Sequence, residues 1–349
     1  MLYKNVRLES FGYELPETIV TSLSLEERVA PVYKKLNLSY GRFGMATGIR
    51  ERRFWDDETT PSQASTKAAE KAIANSGIDK NLIGCLLHTS VCRDFLEPAT
   101  AVLVHDSLGL PSTALVFDIS NACIGFVNGM VTLANMIELG QVKAGIVVGA
   151  EGGKRLIDRT IEELLKDGDI TRDKLKESFA SLTLGSGAVA AVLTHSSLSK
   201  SGHRLSGGAV RTASQHNGLC RVENDTYFYD PNSYPNMSTD YTGILNNGVA
   251  LAAETWKAFQ RELEWREPDV DWFFSHQVSS VHQKMLFHTL GLDESKGFSI
   301  VEYLGNIASC SLPISLAIGI EEGRVNAGDK VVMMAAGSGL CVIMLGLEW

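Results

Sequence analysis

Hydrophobic positions along this chain follow two rhythms that take turns. Mostly apolar runs of strand length occupy residues 82–90, 115–118, 144–149, 184–193 and 270–275. Between them, apolar side chains recur every third or fourth position, the spacing of a helix with one buried face. Helices are predicted over residues 24–36, 62–75, 97–108, 122–137, 244–265, 279–290 and 309–322, several closed by a glycine: Gly77, Gly109, Gly140, Gly291 and Gly323. An opening strand is predicted at residues 6–11. Residues 41–53 are glycine-rich and basic and read as a surface loop, and residues 154–180 as a charged helical excursion outside the core.

Strands alternating with helices, with continuous apolar strand interiors, predict an α/β protein with a mostly parallel sheet covered on both faces. The chain also echoes itself. Residues 184–193, with Gly185-Ser186-Gly187, resemble residues 336–345, with Gly337-Ser338-Gly339, and residues 82–90 resemble 270–276. Two echoes in the same order predict duplicated halves, 1–195 and 196–349. Residues 204–247 are polar, rich in Asn, Tyr and Gly, and read as a long loop over the binding side.

Composition narrows the function classes. With Lys+Arg 32 against Asp+Glu 41 the net charge is -9, and no basic block interrupts it. A nucleic-acid partner is therefore not expected, because backbone binding needs a positive face. No apolar run is long enough to span a bilayer and no leader precedes Leu2, so a cytoplasmic protein is expected. The six cysteines form no CxxC pair, which favours reduced thiols over disulfides or a metal site.

One cysteine stands apart. Cys123 follows the run Leu115-Val116-Phe117-Asp118, read as a buried strand, and precedes a helix for which Ser120 and Asn121 are good caps. Free N–H groups and the helix dipole at such an entrance favour a thiolate, so its pKa is expected to drop and Cys123 becomes a candidate nucleophile. The residues alone leave open that it is one more small buried hydrophobe. Glu97-Pro98 stands where a helix is predicted to begin, with Glu97 serving as a dipole-compatible cap.

Cys123, His276 in His276-Gln277, Asn306 in Gly305-Asn306, and the Gly337-Ser338-Gly339 turn occur in an order, with Thr47-Gly48-Ile49-Arg50 upstream, that resembles the thiolase-fold condensing enzymes of the ketoacyl-ACP synthase III type. The resemblance covers essentially the whole chain. It implies a five-layered α-β-α-β-α fold and a homodimer. It implies also that Cys123 carries an acyl group, that His276 and Asn306 donate to an enolate, and that the amides of Cys123 and Gly339 form the oxyanion hole.

Residues 90–98, including Glu97, further resemble the branch of that family that joins two fatty acyl-CoA thioesters head to head in olefin synthesis. In that branch a glutamate lent by the second subunit is the base, which places Glu97 in catalysis rather than capping. The implied substrates are long-chain acyl-CoAs, with no cofactor, no metal and no membrane span, and with an acyl carrier protein or pathway enzymes as further partners. The clamp that grips the CoA adenine in synthase III enzymes falls on Ala46 and Arg42 and does not transfer. The alternatives are a decarboxylative 3-oxoacyl-ACP synthase III using malonyl-ACP, an acyl hydrolase, and an inactive acyl-binding scaffold.

Overall fold

The computed structural model describes residues 1–223 and 236–349. Ten strands form the main sheet: β1 (Val6–Glu14), β2 (Cys85–His88), β3 (Leu115–Asp118), β4 (Ala144–Gly152), β5 (Ser186–His195), β6 (Arg204–Thr212), β7 (Trp272–Ser275), β8 (Gly297–Phe298), β9 (Lys330–Gly337) and β10 (Cys341–Glu348). Their spatial order is β8-β7-β9-β10-β6-β1-β5-β4-β2-β3. Outward from the β6/β1 seam, the order on one side repeats that on the other with every strand number raised by five. Orientation repeats as well: pairs are antiparallel near the seam and parallel toward both edges. The sheet is thus mixed rather than mostly parallel.

Helices obey the same repeat. On one half lie α1 (Pro61–Ser76), α2 (Thr100–Leu108) and α3 (Gly125–Glu138), and on the other α4 (Tyr241–Leu263), α5 (Ser280–Leu290) and α6 (Ser311–Glu321). The apolar faces of α3 and α6, including Phe126, Met130, Leu312 and Leu316, are buried in one core with residues from both halves of the sheet. On the outer side of one half α1 and α2 pack over β2, β4 and β5, and on the outer side of the other α4 and α5 pack over β7, β9 and β10. The result is the five-layered thiolase arrangement. Each layer follows from burying one apolar face of a helix against one face of a sheet.

Several expectations change. The run 115–118 is not buried. It is the edge strand β3, with Leu115 50% and Phe117 38% exposed, because among the described residues no strand lies beyond it. Residues 204–247 are not one loop, since β6 runs over Arg204–Thr212 and α4 begins at Tyr241, while 224–235 lie outside the described residues. The glycines and polar side chains of β6 masked its strand pattern.

Residues 41–53 contain a helix (Arg42–Thr47) and a strand (Glu51–Phe54), and Arg52 there is fully buried rather than solvated. Its guanidinium donates to the carbonyls of Val20 and Leu182 and to Ser22 Oγ, and lies 5.3 Å from the centre of the Phe43 ring. The charged excursion forms the helices Lys154–Lys166, Arg172–Glu177 and Phe179–Leu182, packed in a separate cluster with Leu25, Val32 and Phe43.

Candidate active site

The two halves deliver their chemistry through matching turns. A single 3₁₀ turn, Ala122–Ile124, leads into α3, and another, Ala308–Cys310, leads into α6. In each, the alanine has a left-handed backbone (φ 44° at both Ala122 and Ala308). Such a conformation costs about 1–3 kcal/mol for a residue with a side chain and persists where the surroundings enforce it. Cys123 follows the first alanine and Ser309 the second, so the serine is the counterpart of the cysteine. Neither Ser120 nor Asn121 caps α3. The Asn121 side chain instead donates to Asn128 Oδ1 at 2.8 Å.

Cys123, His276 and Asn306 line one cavity. His276 leaves the C-terminal end of β7, and its backbone N–H donates to Met334 O at 2.8 Å. Asn306 is pinned from both sides: its N–H donates to Thr183 O at 2.9 Å, and its carbonyl accepts from Gly185 N at 2.8 Å. Its Oδ1 accepts the amide of Ala308 at 3.0 Å, which leaves the side-chain NH₂ as the free donor. Gly305 (φ 67°) allows this approach, since a Cβ there would stand 2.7 Å from Thr183 O. Most of the remaining wall is apolar, including Met237, Ile244, Leu245, Val249, Leu286 and Met344.

Gly337 also meets the Cys123 turn closely. A Cβ on it would lie 3.3 Å from Ile124 N and 3.4 Å from Cys123 N. Gly339 (φ 127°) sits in the same turn, whose residues Gly337, Ser338 and Leu340 line the cavity. Its amide has no hydrogen-bond partner among the described residues.

The electrostatics depart from the expected lowering at Cys123. Burial, reinforced by the nearby Glu151 and Cys220, pushes its thiol up to about 12. Desolvation outweighs the helix entrance. Burial holds His276 at about 3, helped by the neighbouring His282, which burial holds at about 4. Both imidazoles are neutral at pH 7, and neither Nδ1 has a partner among the described residues. His282, in the first turn of α5, also lines the cavity.

Two site residues escaped the sequence reading. His282 stands six positions after His276, and Glu151 is the one carboxylate that ends the apolar run of β4. A titratable group at the carboxyl end of a buried strand is the available signal for the latter.

Glu97 lies elsewhere, exposed on the segment before α2 and outside the Cys123 cavity. It does not open the helix. α2 starts at Thr100, and its first amides, of Thr100 and Ala101, are capped by the Asp118 carboxylate at 3.0 and 2.9 Å. Asp118 also faces Arg93 at 3.6 Å, and Asp94 accepts from Ser62 N and Oγ. The segment is therefore fastened at its root, while Phe95, Leu96 and Glu97 project outward.

Comparison with known proteins fits this geometry. The family description "3-Oxoacyl-[acyl-carrier-protein (ACP)] synthase III" matches residues 117–213, and its C-terminal counterpart matches 261–349. An acyl-CoA:acyl-CoA alkyltransferase of Shewanella oneidensis is 39% identical over the full length of both chains. The chain belongs to the thiolase-fold condensing enzymes of the synthase III type. As a member it is an acyltransferase.

Among solved structures, a cysteine-to-alanine variant of Xanthomonas campestris OleA superposes with a TM-score of 0.93 at 35% identity, covering 100% of this chain and 98% of that one. A cysteine-to-serine variant of the same protein, with bound lauric acid and lauroyl-CoA, superposes with a TM-score of 0.92 at 34% identity, covering 100% of both chains. A Clostridium beijerinckii beta-ketoacyl-ACP synthase III is more distant, at 29% identity over 99% of each chain. Among the described residues, no helix is long and apolar enough to cross a membrane.

Proposed function

We propose that this condensing enzyme joins two fatty acyl-CoA thioesters without decarboxylation, as the relatives named acyl-CoA:acyl-CoA alkyltransferase indicate. The observation that carries the reading is the meeting of Cys123, His276 and Asn306 in one largely apolar cavity. In the first stage Cys123 sulfur attacks the thioester carbonyl, the C–S bond to CoA breaks, and the thiol proton leaves with CoA. Amides of Cys123 and Gly339 hold the oxyanion.

In the second stage a further acyl-CoA loses a proton from its α-carbon to Glu97 of the partner subunit. Neutral His276 and the Asn306 NH₂ donate to the enolate oxygen, and the carbanion attacks the acyl carbon and expels Cys123 sulfur. Hydrolysis of the remaining thioester releases CoA and a 2-alkyl-3-keto acid. A homodimer is part of this reading. It is supported by the exposed apolar residues Phe95 and Leu96 next to Glu97 in the chain, and by Leu115 and Phe117 exposed on the edge strand β3. CoA thioesters are the substrates in this scheme, and it calls for no cofactor.

The test is incubation with acyl-CoA alone and identification of products by mass. A β-keto acid or its ketone supports the reading. Product formed only when malonyl-ACP is added replaces it with the decarboxylative reaction, and free fatty acid as the sole product replaces it with hydrolysis. Cys123→Ser abolishes acyl-enzyme formation, whereas Glu97→Ala leaves Cys123 acylation intact and stops condensation. Normal condensation by Glu97→Ala removes Glu97 as the base.

A further inference from the structure

Glu151 is a buried carboxylate that the proposed reaction does not use. It is the penultimate residue of β4, is 3% exposed, and is enclosed by partners from two different segments. Oε1 accepts from Val91 N at 3.1 Å and from Ser309 Oγ at 2.5 Å, and Oε2 accepts from Cys92 N at 3.3 Å. Val91 and Cys92 are the root of the segment that carries Glu97. Ser309 belongs to the turn that follows Asn306, at the position corresponding to Cys123 in the other half. Trp55 Nε1 fixes the same strand end by donating to Glu151 O at 3.0 Å.

We propose that Glu151 is a positioning residue that ties the Glu97 segment and the Asn306 turn to one point. Its donors come from both segments, and the carboxylate is the acceptor they share. Burial pushes the Glu151 carboxyl above its ordinary value, and the three donors oppose that rise by favouring the anion.

The inference rests on the function proposed above for Glu97. The experiment compares the full-length protein with Glu151→Gln, which keeps the shape and replaces one accepting oxygen by a donor. Condensation is read relative to Cys123 acylation.

The expected result is a condensation-to-acylation ratio reduced about tenfold. An unchanged ratio overturns the proposal. A parallel Glu97→Gln variant separates the two readings: if it condenses normally, the function proposed for Glu97 fails, and if it stops condensation while Glu151→Gln condenses normally, the tie fails. Should Glu151→Gln not fold, Ser309→Ala tests the tie alone. It is expected to lower the ratio at least about fivefold, and an unchanged ratio overturns the tie.

Discussion

Replacing His282 by Gln is expected to make the protein less sensitive to acid. In the native chain burial holds His282 at about 4, against an ordinary value of 6.5. Between those values the unfolded chain binds a proton at this position and the folded chain does not. Stability is therefore fully present above 6.5 and is lost as pH falls toward 4. From pH 7 to pH 5 an unfolded imidazole of ordinary pKa gains about 2 kcal/mol from protonation, while the folded one gains almost nothing. His276, held lower still, contributes a similar loss, and buried His88 acts in the same sense.

The assay is urea unfolding of wild type and His282→Gln at both pH values and at fixed protein concentration, with stability taken from the linear extrapolation. The variant should lose about 2 kcal/mol less than wild type between pH 7 and pH 5. His276→Gln should flatten the curve by a similar amount. Equal losses in wild type and His282→Gln would show that the imidazole titrates normally in the folded protein, and the argument from burial would fail.

Two further outcomes follow from contacts at the site. Asp118→Asn weakens the cap on the first amides of α2 and removes the charge opposite Arg93, and should cost about 1–2 kcal/mol in denaturant unfolding. Gly337→Ala places a methyl 3.1 Å from Ile124 Cγ2 and 3.4 Å from Cys123 N, so the turn bearing Cys123 must shift. Single-turnover acylation of Cys123 should slow about tenfold or more, while the midpoint of urea unfolding changes little.

How far the sequence carried the fold can be traced element by element. Helix α1 was legible because alanine spacing, a proline at its start and Gly77 at its end agree. The structure adds a capping box at Thr60 and a left-handed Gly77. Cys123, His276 and Asn306 were legible through their context rather than individually, since each alone is compatible with an ordinary core role.

β6 was lost because Gly207, Gly208 and its polar residues break the alternation that marks a strand. β3 was misjudged because an apolar run reads the same at the border of a sheet as in its middle. The direction of the Cys123 shift was missed because dipole and burial oppose each other, and only coordinates reveal how deeply the sulfur sits. Glu151 and Arg52 were missed for a related reason: their significance lies in contacts with residues distant in the chain.

The two borders of the main sheet are unequal despite the internal repeat. β3 offers four residues with outward-facing Leu115 and Phe117, whereas its twin β8 is cut to Gly297–Phe298. A sheet with two long open rims could add copies without limit and grow into a ribbon. Trimming one rim leaves β3 as the longer open rim among the described residues, so the repeat that built the sheet did not make its two ends equally able to take up a further strand.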